Sequence, residues 1–287
     1  MYHFFAESAQ LFDDGKRISI SGETYNHMVN VLRMKVGEEF SVSFKDGEII
    51  STDQSGIAIS KNDKENTDFS KEEKESTEQT ELTSNESKEY RFGIESISDS
   101  ELIGELRFIK ESGAELSSKI YLFQGLPKAD KMELIIQKAV ELGAYQIVPV
   151  KMKRSVVKLD EKKAASKIKR WCAISEAAAK QSKRALVPEV TMPMTFKEAV
   201  KFAESLDIKL LPYELAEGMD YTREIISEIK PGQSIGIFVG PEGGFADEEV
   251  EFANDNGFKT ITMGKRILRT ETAGFTMLAW LMYTLER

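Results

Sequence analysis

The sequence predicts an α/β protein with a mainly parallel β-sheet in its C-terminal part and a small β-barrel at its N-terminus. Two observations lead to this prediction. Short strand-like segments broken by glycines dominate residues 1–57, and from Lys119 onward strand-like segments alternate with helical ones. Alternating strands and helices are typical of a parallel sheet that helices cover on both faces. With 287 residues, the chain can hold one large domain or two ordinary ones.

The N-terminal region is predicted to form the barrel, with one short helix at Tyr25–Leu32. Its predicted strands are Arg17–Ser21, Glu39–Phe44, Glu48–Ser51, Tyr90–Ile97 and a segment near Glu105–Ile109. Between them, Ser60–Glu89 has almost no apolar side chains, so ordering it would cost more free energy than its packing returns. We predict that this acidic insert, residues 60–89, is a disordered loop within the barrel.

The C-terminal region alternates between the two element types. The predicted strands are Lys119–Gln124, Tyr145–Val150, Ile208–Leu211, Ser234–Val239 and Lys259–Met263. The predicted helices are Asp130–Leu142, Glu161–Lys183, Thr195–Ser205, Tyr221–Ile229, Asp247–Asn256 and Thr272–Leu285. Asp130 and Glu133 have the spacing of a capping box, and Gly143 is predicted to end the first helix. Ligands bind at the carboxyl ends of parallel strands, so the loops after Gln124, Leu211, Val239 and Met263 are the candidate site.

Composition excludes several classes of protein. No run of 18 apolar residues predicts a membrane span, and Met1–Gln10 does not resemble a signal peptide. The single cysteine, Cys172, cannot form an intramolecular disulfide, which favours a reducing, cytoplasmic location. Two histidines and one cysteine predict no metal site. The net charge is −9, of which the acidic insert contributes −5, so the distribution of charge matters more than its sum.

Two loops carry the functional signal. The first, Gly240–Phe245, has three glycines in five residues between a strand and a helix, so a ligand can approach its main chain closely. It has neither the Walker A nor the dinucleotide-binding spacing, and a plain turn remains an equal alternative. The second, Met263–Ala273, surrounds Ile267 and Leu268 with charged residues; the alternative is a solvated basic turn. The helix after it is apolar on nearly every side and needs cover from other elements or a partner subunit.

Five motifs, in order, resemble the RsmE family of ribosomal RNA methyltransferases. They are His27–Gly37 (HMVNVLRMKVG), Leu126–Glu133 (LPKADKME), Gln181–Pro188 (QSKRALVP), Val239–Gly244 (VGPEGG) and Gly264–Ala273 (GKRILRTETA). The resemblance covers nearly the whole chain except the acidic insert. Two departures are Ala129 and Lys183, which stand where the family often has glycine.

The resemblance implies a function and an architecture. The family transfers a methyl group from S-adenosylmethionine to N3 of a uridine in 16S ribosomal RNA of the small subunit. Its members are homodimers with sites near the subunit interface. Residues 1–115 are then a PUA-like β-barrel that assists RNA binding, and residues 116–287 a SPOUT domain with a C-terminal trefoil knot. Such knots are too rare to be expected from periodicity.

The resemblance also assigns the cofactor to three loops. The residues expected to bind S-adenosylmethionine are Leu211, Pro212, Tyr213, Glu214, Val239, Gly240, Pro241, Glu242, Gly243, Gly244, Met263, Gly264, Ile267, Leu268 and Thr270. Ile267 and Leu268 are expected to pack against the adenine. Glu242 either contacts the cofactor or caps the following helix.

Methylation at N3 requires loss of the N3 proton, and the anion formed spreads onto O2 and O4. A guanidinium can stabilise that anion, and Arg269 is the first candidate. Glu271 is a candidate proton acceptor or an orienter of Arg269. The alternatives are an Arg269–Glu271 salt bridge, and a Glu271 that only suits the N-terminus of the last helix.

RNA binding requires positive charge that faces phosphates. The candidate RNA-binding residues are Arg33, Lys35, Arg154, Lys167, Arg170, Arg184 and Arg266. Lys151, Lys153, Lys163, Lys180 and Lys183 lie in the same basic clusters. For about half of the lysines, a solvated surface position is the simpler interpretation. Two other functions stay open: another SPOUT methyltransferase that acts on a ribose 2′-hydroxyl or on transfer RNA, and a non-catalytic RNA-binding assembly protein.

Overall fold

The computed structural model describes residues 2–44, 50–52, 58–60, 88–157, 159–216 and 218–286. The acidic insert lies almost entirely outside these ranges, and its predicted disorder stays a prediction. The chain divides into two compact units. Unit 1 is Met1–Glu115 with Lys183–Leu186, and unit 2 is Leu116–Ser182 with Val187–Arg287.

Unit 1 contains a six-stranded sheet in the order β1-β4-β7-β8-β3-β2 and a separate two-stranded hairpin, β5-β6. The strands are β1 (Tyr2–Ala6), β2 (Leu11–Phe12), β3 (Arg17–Ser21), β4 (Glu39–Phe44), β5 (Ile50–Thr52), β6 (Ala58–Ser60), β7 (Lys88–Ile97) and β8 (Glu101–Glu111). β1 pairs with β4 in parallel, and the other pairings are antiparallel. Among the described residues, β1 and β2 are the edge strands of this sheet, and its closure into the predicted β-barrel stays a prediction.

Aromatic side chains form the core of unit 1. Phe40 of β4 is fully buried, with Phe92 stacked on it at 5.8 Å between ring centroids and Phe4 edge-on at 6.2 Å. The predicted helix at Tyr25–Leu32 begins earlier and has two parts, α1 (Gly22–Asn26) and a π-helical turn (His27–Val31). The π-helical turn buries Met28 in the same core.

Unit 2 has the predicted parallel sheet, with seven strands: the five predicted ones and the short strands β11 and β12. Its main order is β11-β10-β9-β14-β13-β15, and β12 pairs with β10. The strands are β9 (Lys119–Gly125), β10 (Gln146–Lys151), β11 (Glu189–Val190), β12 (Met194–Thr195), β13 (Ile208–Pro212), β14 (Ser234–Val239) and β15 (Lys259–Ile261). Every pairing is parallel. β10, the next strand in the chain, pairs with one side of β9, and β14 pairs with the other side. The strand order therefore changes direction at β9, and ligands bind at the carboxyl ends of the strands beside such a point.

Helices pack on both faces of this sheet. They are α2 (Lys131–Glu141), α3 (Glu161–Gln181), α4 (Phe196–Phe202), α5 (Met219–Glu228), α6 (Asp247–Asp255) and α7 (Thr270–Leu285). Phe123 and Phe238 stack at 4.1 Å in the core that α4 and α6 complete. Because side chains alternate along a strand, Leu122 and Val239 point to the other face and contact α7 at Gly274.

Two details near the site differ from the sequence prediction. The capping box at Asp130 does not form: its side chain caps nothing, and the Glu133 carboxylate instead accepts a hydrogen bond from Arg170 at 2.7 Å. The predicted last helix, Thr272–Leu285, starts at Thr270, which brings Thr270 and Glu271 into its first turn. Gly143 ends α2 as predicted, with a φ of +86°.

Ala129 and Lys183 both have a positive φ, +52° and +58°. This left-handed region costs an L-residue roughly 1 kcal/mol, whereas glycine adopts it freely. The two departures from the family pattern therefore stand at positions where backbone geometry favours glycine.

Replacement of Lys183 by glycine is expected to raise the free energy of unfolding by up to about 1 kcal/mol, because it removes this strain. Denaturant unfolding monitored by circular dichroism measures the change. Ala177→Gly, within helix α3, is the control and should lower stability by about 1 kcal/mol. A Lys183→Gly variant that is less stable than the wild type would contradict the strain argument.

No helix in the described part of the chain is long and apolar enough to span a membrane. The same residues contain no group of three or more side chains suited to hold a metal ion.

Candidate functional site

A cleft of about 420 Å³ opens at the carboxyl ends of β13 and β14, beside the start of α7. The residues that line it are Lys131, Pro212, Glu214, Val239, Gly240, Pro241, Glu242, Gly243, Gly244, Phe245, Ile267, Leu268, Arg269, Thr270 and Ala273. The two loops with the strongest sequence signal, Gly240–Phe245 and Met263–Ala273, therefore both contribute to the lining of one cleft. Its position at the strand ends agrees with the prediction from the sheet topology.

Close main-chain packing explains the glycines. A Cβ on Gly125, the last residue of β9, would lie 2.6 Å from the backbone nitrogen of Pro241. A Cβ on Gly243 would lie 2.9 Å from the Cβ of Arg154 and 3.0 Å from its carbonyl oxygen. Gly244 has a φ of +68° and faces the Glu214 carboxylate. The loop Val239–Gly244, called the Gly-rich loop below, thus packs against Gly125, Arg154 and Glu214 at distances that side chains on its glycines or on Gly125 would prevent.

A buried chain of hydrogen bonds joins three elements beneath the cleft. The Gln124 amide donates to the Thr270 hydroxyl at 2.8 Å, and that hydroxyl donates to the Gly240 carbonyl at 2.6 Å. Gln124 is the last residue but one of β9, Gly240 follows β14 and Thr270 begins α7. Because both side chains are buried, these bonds fix the start of α7 against the Gly-rich loop.

Lys131 lies between two carboxylates at the edge of the cleft. Its Nζ is 3.2 Å from Glu242 Oε1 and 3.3 Å from Glu271 Oε2. The Lys128 backbone N–H also donates to Glu242, at 3.1 Å. Burial acts to raise the pKa of Glu242, but these backbone hydrogen bonds and the Lys131 ammonium outweigh it and hold that pKa below its usual value. The hydrogen bond to Glu242, followed by that to Glu271, raises the pKa of Lys131.

Arg269 directly precedes α7, is exposed and lines the cleft. No carboxylate of a described residue lies within 4.0 Å of its guanidinium, so the alternative of a salt bridge to Glu271 is wrong. Glu271 pairs with Lys131 instead and does not line the cleft. With no acidic partner among the described residues, the positive charge of Arg269 is therefore available to a ligand in the cleft.

The structure brings together most, but not all, of the residues predicted to bind the cofactor. Leu211 is fully buried in the core, and Tyr213, Met263 and Gly264 lie outside the cleft lining. Burial and the charges of Asp247 and Glu214 raise the pKa of Tyr213. Ile267 lines the rim but is 88% exposed, so within one chain it has little against which to pack a ligand.

Sequence reasoning missed three residues that line the cleft: Lys131, Phe245 and Ala273. Lys131 lies within the matching segment Leu126–Glu133, which follows the carboxyl end of β9. This position in the sequence could have indicated that Lys131 belongs to the site. Phe245 is apolar and buried in the core of unit 2, so nothing in its type distinguishes it from other core residues.

Six of the seven basic residues predicted to bind RNA fall into three groups. Arg33, Lys35 and Arg266 are exposed, and the described residues offer none of them an acidic partner within 4.0 Å. Lys167 and Arg170 of α3 pair with Asp130 and Glu133. Arg154 lies against the Gly-rich loop, where it donates to the Gly243 carbonyl at 3.4 Å and approaches Asp247 at 3.8 Å.

The prediction that Arg184 binds RNA is wrong. Its side chain is only 3% exposed and forms an ion pair with Glu115 at 2.5 Å. The same carboxylate accepts hydrogen bonds from the backbone N–H groups of Ala185 and Leu186. If the Arg184 guanidinium turned outward to a phosphate, the Glu115 carboxylate would remain buried without its partner, which costs free energy.

Comparison with known proteins gives the class. A family model for the RNA methyltransferase domain matches residues 114–282, and a model for the RNA methyltransferase PUA domain matches residues 20–52. The cleft and all of its lining residues fall inside the first match. The class that fold and site define is therefore that of the RNA methyltransferases, with a PUA-like domain at the N-terminus.

Individual relatives specify the family. Ribosomal RNA small subunit methyltransferase E of Bacillus subtilis (strain 168) is 33% identical over 290 residues, which cover 100% of this chain and 98% of that protein. The protein of the same name from Mesomycoplasma hyopneumoniae (strain 232) is 38% identical over 57% of this chain and 69% of that protein. The crystal structure of a ribosomal RNA small subunit methyltransferase E from Neisseria gonorrhoeae, bound to S-adenosyl methionine, matches with a TM-score of 0.69 and 27% identity, over 97% of this chain and 96% of that one. The chain belongs to the ribosomal RNA small subunit methyltransferase E family.

Proposed function

We propose that the protein transfers a methyl group from S-adenosylmethionine to N3 of a uridine in the 16S ribosomal RNA of the small subunit. The observation that carries the proposal is a cleft lined both by a close-packed glycine loop and by an arginine that has no acidic partner among the described residues. Family membership gives the reaction class, and the relative from Neisseria gonorrhoeae binds the same cofactor. A cytoplasmic location follows from the proposed substrate.

The cleft fits S-adenosylmethionine in size and charge. Its volume of about 420 Å³ is within the usual range of ligand pockets. The cofactor carries a sulfonium and an ammonium, which favour the neighbouring carboxylates of Glu214 and Glu242. We propose that Val239–Gly244 holds the cofactor through its main chain and that Leu268 and Pro212 supply the apolar wall. When bound, the cofactor supplies the electrophilic methyl group.

The chain itself must orient the uridine and stabilise negative charge as the N3 proton leaves. The Arg269 guanidinium, which has no acidic partner in the part of the chain that the structure describes, is proposed to donate hydrogen bonds to the uridine oxygen on which that charge develops. Glu271 is a weaker candidate for the proton acceptor, because one of its oxygens already accepts a hydrogen bond from Lys131. We propose that Glu271 instead orients the first turn of α7, beside Arg269, and that the N3 proton passes to solvent water in the cleft.

The architecture of unit 2 is proposed to be that of a SPOUT domain, with α7 threaded through the preceding loops as a trefoil knot. Two hydrogen bonds of the Thr270 hydroxyl support this, because they tie α7 between the ends of β9 and β14: it accepts from the Gln124 amide and donates to the Gly240 carbonyl. We further propose a homodimer. Exposed Tyr283 on α7 and Leu134 on α2, which packs beside α7, provide apolar surface for a second copy.

For the RNA, we propose that residues 1–115 act as the PUA-like RNA-binding domain and residues 116–287 as the methyltransferase domain. Arg33 and Lys35 in the first, and Arg266 in the second, are the preferred phosphate contacts because no acidic side chain of a described residue pairs with them. To bind a phosphate, Lys167 and Arg170 would first have to break their ion pairs with Asp130 and Glu133. Arg154 is better placed to support the Gly-rich loop than to bind RNA.

Mass spectrometry of ribosomal RNA from a strain that lacks the gene tests the proposal. We expect one N3-methyluridine to disappear from the small-subunit RNA and to return when the wild-type gene is restored. An unchanged set of uridine modifications would contradict the proposed substrate. Loss of a ribose methyl group, or of a transfer RNA modification, would instead support another SPOUT activity. If no modification changes at all, a non-catalytic assembly role is favoured.

A further inference from the structure

Lys131 occupies a position that the function proposed above does not use. It is the first residue of α2, it lines the cleft, and its Nζ lies 3.2 Å from Glu242 and 3.3 Å from Glu271. The two carboxylates come from different elements, the loop after β14 and the first turn of α7. One ammonium therefore links three segments that are far apart in sequence.

The charges explain why this link matters. The oxygens of Glu242 and Glu271 cannot be farther apart than the sum of their distances to Nζ, so two like charges are held close together. Without the ammonium they would repel each other across the seam between the Gly-rich loop and α7. Glu242 cannot easily turn away, because the Lys128 backbone N–H also holds it. Glu271, at the helix start, would be the group that moves.

Movement of Glu271 would reach Arg269. Arg269 is the residue just before α7, and its carbonyl accepts the first hydrogen bond of the helix, from the Ala273 N–H at 2.9 Å. The direction of the Arg269 side chain thus depends on the first turn of α7. Glu271 belongs to that turn, and Lys131 holds its side chain.

We propose that Lys131 is a positioning residue for methyl transfer: it balances the paired carboxylates and so fixes the first turn of α7 that aims Arg269 into the cleft. This inference rests on the proposed function, because it assumes that Arg269 acts on the RNA base. Hydrogen bonding to Glu242, followed by that to Glu271, raises the pKa of Lys131, because both carboxylates favour the ammonium form.

Steady-state kinetics of purified full-length variants test the role, with S-adenosylmethionine and small subunits from the deletion strain as substrates. Lys131→Met is expected to lower kcat by at least about tenfold, because a small displacement of a catalytic group has a large effect on rate. Its KM for S-adenosylmethionine should change much less. Lys131→Arg keeps the charge and should recover most of kcat. Lys138→Met is the matched control: Lys138 lies on the same helix and pairs with Glu141, away from the cleft.

A double-mutant cycle separates charge balance from general damage. Lys131→Met combined with Glu271→Gln removes the repulsion as well as the ammonium, so kcat should fall by less than the product of the two single effects. If Lys131→Met does not fold, Lys131→Gln takes its place in the cycle. Equal activity of wild type and Lys131→Met, or no recovery with Lys131→Arg, would overturn this inference alone. A wild-type protein that methylates no small-subunit RNA would overturn the proposed function as well.

Discussion

Replacing Arg269 with alanine is expected to lower kcat about 10²- to 10³-fold, the usual effect of removing one donor that stabilises an oxyanion. The guanidinium has no acidic partner among the described residues, so its charge is available to the uridine anion. Affinity for S-adenosylmethionine should change by less than about threefold, because the main chain of Val239–Gly244 forms the proposed cradle. Calorimetry measures the affinity, and methyl transfer from labelled cofactor measures kcat.

Arg223→Ala is the control for this variant. Arg223 is also an exposed arginine of unit 2, but it lies on α5, and its one ion pair among the described residues is with Asp220. Its replacement should leave both kcat and cofactor affinity unchanged. If Arg269→Ala turns over as fast as the wild type, Arg269 does not stabilise the anion. If it loses cofactor affinity in proportion to activity, its role is in binding.

Replacing Gly243 with valine is expected to weaken cofactor binding at least about tenfold while the protein remains folded. A Cβ there would lie 2.9 Å from the Cβ of Arg154 and 3.0 Å from its carbonyl oxygen. The loop must shift to relieve this overlap, and such overpacking costs about 1–3 kcal/mol. Because the loop forms one wall of the cleft, we expect that cost to reduce the affinity measured by calorimetry.

Gly113→Val tests whether any added side chain has the same effect. A Cβ on Gly113 would have no neighbour within 4 Å, so this variant should bind the cofactor like the wild type. Thermal unfolding of both variants shows whether the fold is retained. Undiminished cofactor affinity in a folded Gly243→Val protein would mean that the Gly-rich loop is not part of the binding site.

The fold of unit 2 was predictable from the sequence because its strands are apolar and its helices have clear ends. Ser234–Val239 was predicted to the residue, and Gly143 ends α2 through a positive φ that glycine allows. The start of α7 was predicted two residues late. Thr270 and Glu271 look like loop residues in the sequence, and only their bonds to Gln124 and Lys131 draw them into the helix.

The site was predictable as a set of loops but not as a set of contacts. Strand ends and glycine spacing located Val239–Gly244, because these depend on local chain geometry. Which charges pair depends on distant segments. Arg184 has the sequence character of a phosphate ligand yet is buried against Glu115. Lys131 resembles a helix surface residue in the sequence, yet it joins the loop after β14 to the first turn of α7. Pairing between residues 69 to 140 positions apart leaves no local pattern.

The most direct test of the central claim is transfer of a labelled methyl group in vitro. Purified protein, labelled S-adenosylmethionine and small ribosomal subunits from the deletion strain are mixed, and the labelled nucleoside is identified by mass spectrometry. The cleft and the family predict close to one methyl group per subunit, on N3 of a single uridine, and almost none with Arg269→Ala. Label on a ribose 2′-hydroxyl, or no label with a protein that binds the cofactor, would contradict the proposed reaction.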